Sequence, residues 1–385
     1  MRAIGETGAD GRFRVAGVTL PPDRLPLAAI SANLEAYRAS SDSFLAADER
    51  LGWAPRPRAR SRDGLKRANG AGVRSDVETA PDPPPGIDRI ELFGDSFTFG
   101  DELPLSETWG ARLEEDLRAR GFAVEVLNFG VNAYGTDQAY LRWREAGRRY
   151  RPGIVIYGFQ PENSLRNLNV FRPLYFAGTE IPLSKPRFVV DGDDLRLVNS
   201  PTVPPDQIVP VLSRLDSHPL AAFERFRPGD DGLPIPSRVV DLVRFAFVTR
   251  DDDPVARFGD DAEALAVTTG IVRRWAREVT DEGGTFLIVY LPRRSEIEAR
   301  TSGRATWDAR LLAALEAVAP VVTFDASALP LAGDDFAPGG HYGPRLSGMV
   351  ASALAPRVAA ILCQRTPAGG AAPACAAGGP PSDTP

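Results

Sequence analysis

The stretch Arg89-Ile90-Glu91-Leu92-Phe93-Gly94-Asp95-Ser96-Phe97-Thr98-Phe99-Gly100 decides the reading of this 385-residue chain. A short apolar run stops at Gly-Asp-Ser, and a helical pattern begins soon after it. An α/β protein presents a hydroxyl in this way at the carboxyl edge of a parallel sheet, where such folds place their ligands. A nucleophilic Ser96 then requires a base and oxyanion donors from later loops. The competing reading is an ordinary strand-to-helix turn with the serine as N-cap.

Working outward, the pattern alternates. Ile90–Phe93 reads as a strand and 106–120 as a helix, with Ser106 as its N-cap and Gly121 as its stop. Residues 124–128 read as a strand, 137–149 as a helix and 153–159 as a third strand. Such alternation implies a parallel sheet with right-handed crossovers. The rhythm breaks between about 178 and 257. An Asp191-Gly192 turn there predicts a hairpin over 187–198, and an amphipathic helix is expected over 237–249. This inserted block is expected to lie over the active edge. Alternation resumes with a helix over 261–281, a strand over 285–290, a helix over 307–318, a strand over 321–324 and a closing helix over 345–362.

Residues 1–87 read as an N-terminal accessory region, rich in Pro, Gly, Arg and Asp, with a helix over 26–38. The domain proper is expected over 88–362, with 178–257 as its insertion. Residues 363–385 are rich in Ala, Gly and Pro without an apolar pattern, and are expected to be a disordered tail. The only cysteines, Cys363 and Cys375, fall there; they could pair in an exported protein, but in a flexible tail a structural role for them is not expected.

Composition excludes several classes. The charged fraction is 25% and the net charge −6, with no basic excess that would suggest a nucleic-acid partner. No transmembrane segment, secretory signal or Cys/His zinc spacing is evident; no metal or cofactor is expected, and the location is left open, cytoplasmic by default, with export an alternative if the true start lies upstream. Oligomeric state is left open. Two histidines, His218 and His341, are the whole supply of imidazole. His341 is preferred because it stands in the last loop before the last helix, which the topology brings beside the first strand.

Gly94-Asp95-Ser96-Phe97 resembles block I of the SGNH (GDSL) hydrolase family, here in a form reading GDSFTFG. Asn128-Phe129-Gly130-Val131-Asn132-Ala133 resembles block II, with Ala133 where the family has glycine. The loop Gln160-Pro161-Glu162-Asn163-Ser164-Leu165-Arg166-Asn167 resembles block III with its asparagine displaced. Gly339-Gly340-His341-Tyr342-Gly343-Pro344 resembles block V, but Pro338 stands where the family has an aspartate. The resemblance implies a flavodoxin-like three-layer α/β/α sandwich and a serine esterase. Ser96 would be the nucleophile and His341 the base. Asp334 or Asp335 would orient the imidazole, or a backbone carbonyl would do so in a Ser-His dyad.

The implied oxyanion donors are the N–H groups of Ser96 and Ala133 and the amide of Asn163. Gly130 or Gly135 stand behind Ala133, and Asn167 or Gln160 behind Asn163. Asp95 is read as a turn-stabilising acceptor. The substrate implied is a small-molecule or carbohydrate ester, or an acyl group on a lipid. Two alternatives stay open: an O-acyltransferase of a cell-envelope polysaccharide, and a non-catalytic relative that binds a glycan or partner.

Overall fold

In a computed structural model of the protein, the residues described are 6–7, 13–15, 18–20, 25–40, 43–176, 178–192, 194–227, 261–325, 331–365 and 375. They fall into two compact units: Pro55–Asn163 with Ile271–Pro385, and Met1–Ala54 with Ser164–Gly270. Residues 55–87 therefore group with the sheet and not with 1–54, and the change of unit comes at Ser164, not at 178.

The first unit holds, in chain order, β1 (Asp88–Gly94), α1 (Ser96–Phe99), α2 (Trp109–Ala119), β2 (Val124–Asn128), α3 (Thr136–Glu145) and β3 (Ile154–Phe159). It continues with β4 (Thr285–Tyr290), α4 (Arg294–Thr301), α5 (Ala309–Glu316), β5 (Val321–Val322) and α6 (Pro344–Arg365). The five strands are all parallel, in the order β5-β4-β3-β1-β2. This is the doubly wound, flavodoxin-like order, whose switch point lies between β1 and β3. The loops that follow those two strands are therefore where a ligand site belongs.

Side-chain alternation divides the core between the two faces of the sheet. On one face Ile90, Leu92, Ile156, Leu287 and Val289 pack with Leu113 and Leu117 of α2 and Val350, Leu354 and Val358 of α6. Each such burial contributes about 1.5–3 kcal/mol. The other face is aromatic. Phe93, Tyr140, Tyr157 and Phe286 all lie against Trp275, with ring centroids 5.2–5.8 Å away. Trp275 belongs to the part of the helix Ala262–Asp281 that lies in this unit. Glu91 also points to this face, and burial holds its carboxyl well above the usual range.

The closing helix α6 is long and apolar enough to cross a membrane, yet half of its apolar stretch is buried within the protein. It is a core helix. Its last turn carries Cys363, which forms a disulfide with Cys375, and both residues pack on the core. The cysteines therefore do have a structural connection. The rest of the tail lies outside the described residues.

Local chemistry moved some boundaries. The helix expected from Ser106 begins at Trp109, because Leu105–Glu107 forms a 3-10 turn after Pro104. Thr108, not Ser106, is the N-cap and accepts from Ala111 N–H at 3.3 Å. Helix α3 stops at Glu145 and a separate 3-10 turn covers Gly147–Tyr150. Helix α4 was not expected from sequence; its segment is mostly polar, and Glu296 accepts the Arg293 N–H at its start, at 2.9 Å.

In the second unit, a helix over Leu27–Ala39 buries Ile30 and Leu34. Arg187–Asp191 and Asp194–Val198 form the expected antiparallel hairpin, with Gly192 at φ 61°. Buried Glu224 accepts the N–H groups of Val170, Phe171 and Phe226. His218 caps a 3-10 turn by accepting from Leu220 N–H at 3.2 Å. The helix expected over 237–249 lies outside the described residues.

Candidate active site

Strand β1 ends at Gly94, opposite Gly158 of β3. A Cβ on Gly94 would come within 2.2 Å of Thr98 Oγ1 and 2.6 Å of the Gly158 carbonyl, so only glycine lets the chain turn here. Asp95 then caps α1, accepting the Phe97 N–H at 2.9 Å. That arrangement separates the two readings of Gly-Asp-Ser. The aspartate satisfies the helix start, and the Ser96 hydroxyl is left to another partner.

That partner is His341, whose Nε2 lies 2.8 Å from Ser96 Oγ. The imidazole is held from its other side by Glu102, with Oε2 2.7 Å from Nδ1. An ionised carboxylate only accepts, so Nδ1 carries the proton and Nε2 offers its lone pair to the serine. The second Glu102 oxygen accepts the Gly339 N–H at 2.8 Å, tying the carboxylate to the loop that carries His341. Burial alone would raise the Glu102 carboxyl, but the hydrogen bonds from His341 and Gly339 outweigh it and leave the group below its usual value. Glu102 sits at φ 69°, in the left-handed region, where a side chain costs about 1–2 kcal/mol.

The expectation of Asp334 or Asp335 as the orienting acid is corrected here. Asp335 is buried and turned toward Arg345, whose Nε lies 2.5 Å from its Oδ1, and it also accepts the Ala332 N–H at 2.6 Å. Arg345 first, and then the Ala332 N–H, hold its carboxyl below the usual range. Asp334 is exposed; its carbonyl is packed against Gly343, where a Cβ would stand 2.1 Å from it. These two residues shape the loop from 334 to 343, and Glu102 occupies the position beside the imidazole. The sequence signal for Glu102 is the acidic pair Asp101-Glu102 directly after Gly100, on the loop leaving Ser96.

The loop after β2 is stapled to α1. Asn128 Nδ2 donates to the Thr98 carbonyl at 2.7 Å, and Asn128 Oδ1 accepts the Gly130 N–H at 2.9 Å. Gly130 is thereby excluded as an oxyanion donor. Gly135 N–H donates to Gln138 Oε1 at 3.3 Å and is excluded in the same way. Among the described residues no protein acceptor takes the N–H of Ser96 or of Ala133. Ala133 adopts φ 64°, the conformation that glycine would adopt without strain. Its neighbour Asn132 donates to Asp101 Oδ2 at 2.5 Å, and Asp101 also pairs with Lys66. The loop after β1 is thus bound to the loop after β2.

Asn163 is fully buried at the loop after β3, its N–H donating to the Gln160 carbonyl at 2.9 Å, with its side chain at the Tyr157 hydroxyl. Asn167 donates to Thr268 Oγ1 at 2.9 Å, within the other unit. Phe97 packs against the His341 ring at 5.2 Å and edge-on against Tyr342 at 5.0 Å. His218 belongs to the other unit, where it caps a turn. Among the described residues, no group of three His, Cys, Asp or Glu is arranged to hold a metal ion.

Parallel strands in flavodoxin-like order carry Gly-Asp-Ser at the end of β1 and a histidine just before the last helix. The fold is the flavodoxin-like parallel sheet that the resemblance in sequence implied. No protein-family model and no curated protein matches the chain. Solved structures similar to it include a putative lipolytic protein of the G-D-S-L family from Desulfitobacterium hafniense, 14% identical, with a TM-score of 0.34 over 69% of this chain and 97% of that one. TesA is 11% identical, with a TM-score of 0.37 over 71% and 99% of the two chains. The acetyl xylan esterase AlAXEase is 10% identical, with a TM-score of 0.37 over 70% and 99%. At these scores the neighbours carry no argument, and the activity has to be argued from the site.

Proposed function

We propose that the protein is a serine esterase of the SGNH type, acting on an acyl group carried by a carbohydrate or lipid alcohol. The observation that carries this reading is the continuous chain from Ser96 Oγ through His341 to Glu102, at 2.8 and 2.7 Å. Ser96 Oγ attacks the ester carbonyl while its proton passes to His341 Nε2. The N–H groups of Ser96 and Ala133 and the Asn163 amide receive the negative charge that develops on the carbonyl oxygen. The alcohol leaves with the proton from Nε2, and the acyl group remains on Ser96 Oγ. Water then repeats the sequence, with His341 as base, and releases the carboxylic acid. Glu102 stabilises the imidazolium and fixes the tautomer throughout.

A carboxylate at Nδ1 supports this over a binding-only relative, since an orienting acid serves no purpose in passive recognition. The test is labelling with a fluorophosphonate and mapping of the adduct. The adduct is expected on Ser96 and absent after Ser96→Ala, which lowers kcat by about 10⁴-fold or more while leaving the fold intact. An unlabelled but folded wild-type protein would refute the reading. Product analysis with a sugar acceptor present separates hydrolysis from acyl transfer.

A further inference from the structure

Arg74 lies in the segment that precedes β1, in the same unit as the site, and is only 3% exposed. Its guanidinium reaches the loop that leaves the nucleophile helix. Nη1 donates to the carbonyls of Phe99, at 2.6 Å, and Gly100, at 2.8 Å, and Nη2 donates to Leu103, at 2.5 Å. The same group stacks 4.2 Å from the centre of the Phe99 ring. Its own N–H donates to the Asn128 carbonyl at 2.9 Å, anchoring it to β2. The bonded carbonyls bracket Glu102, two before it and one directly after it. Glu102 itself is in the left-handed region, a conformation the chain holds only where its surroundings impose it.

We propose that Arg74 is a positioning residue for the orienting acid: it fixes the backbone on both sides of Glu102 and so holds that carboxylate against His341. The inference rests on the Ser96–His341–Glu102 reading above. A planar fork of donors suits three carbonyls spread along one loop, which a lysine ammonium cannot match. Burial lowers the guanidinium to about 10, while Asp101 and Asp76 act to raise it, so it is charged at neutral pH. Glu102 is the charged group hydrogen-bonded to the imidazole, so a loosened loop has a definite signature. Loss of the carboxylate withdraws the negative charge beside the imidazole, and the acid limb of kcat/KM moves to lower pH.

The experiment measures p-nitrophenyl acetate hydrolysis against pH for the wild type, E102Q, R74A, R74K and E102Q/R74K. In R74A and R74K, kcat is expected to fall about tenfold to a hundredfold, with the larger change in kcat than in KM. The acid limb should shift in the same direction as in E102Q, and free guanidinium should restore activity to R74A. On the E102Q background, R74K should cost about twofold or less, because the two act through one group. R74K keeps the charge and most of the volume, and it decides the matter if R74A does not fold. A loss in R74K without a shift of the limb, or one that adds fully to E102Q, overturns the role of Arg74 alone. An E102Q profile identical to wild type overturns the acid assignment, and the Arg74 proposal falls with it.

Discussion

Two loops face each other at this site, and they divide the work unequally. The loop after β1, from Gly94 to Leu103, supplies Ser96 and also Glu102. The loop from 334 to 343 supplies His341 alone, although it contains two aspartates within seven residues of the histidine. Asp335 is bound to Arg345 at the start of α6 and builds the loop. Glu102, distant in sequence, makes the 2.7 Å contact with the imidazole. Nearness along the chain settled neither role. What matters is the direction in which each carboxylate leaves its loop, and the left-handed turn at Glu102 sends it across to the base.

The comparison breaks most sharply on paired substitutions. Glu102→Gln should lower kcat by about 10²- to 10⁴-fold, because the imidazole loses its orienting charge and its imidazolium loses a partner. Asp335→Asn should leave kcat within about threefold in the folded protein. Steady-state kinetics on both variants tests the division, and a reversed order of effects would return the acid role to Asp335.

A smaller effect concerns stability against pH. The Asp335 carboxyl is depressed in the folded state, chiefly by Arg345. Its contribution is therefore fully present above its unfolded pKa of about 3.9 and is lost as pH falls through the lower folded value. Because Arg345 is exposed, solvent screens the pair and that contribution is small. Urea titrations through this window should show wild type losing the increment and Asp335→Asn never having it.

The smallest effect is expected at Ala133. Replacing it with glycine removes the penalty of φ 64° but enlarges the freedom of the unfolded chain, for a net gain of about 0.5–1 kcal/mol. Activity should be retained, because the main-chain N–H is unchanged. Lower stability together with lost activity in Ala133→Gly would show that the Cβ itself holds the loop.

Much of this was legible in the residues. Val124–Asn128 and Thr285–Tyr290 fell where apolar runs bounded by glycine or polar residues put them. Asp95 is the acceptor at the turn that was expected, although it, and not Ser96, takes the N-cap position. The misreadings share a cause. Ser106 loses the cap to Thr108, and Gly130 loses its free N–H to Asn128, through hydrogen bonds that compete locally for the same groups. Helix α4 has too polar a composition for its periodicity to stand out.

The sequence by itself determined the alternating parallel architecture, the placement of Ser96 at a strand end and the loop order that brings His341 beside it. These depend on periodicity and order along the chain, which residues carry directly. Tertiary structure alone decided which carboxylate meets His341, which N–H groups remain for an oxyanion, and that Arg74 grips the loop between them. Those outcomes turn on where side chains from separate loops converge within a few tenths of an ångström, and spacing along a chain does not encode that distance.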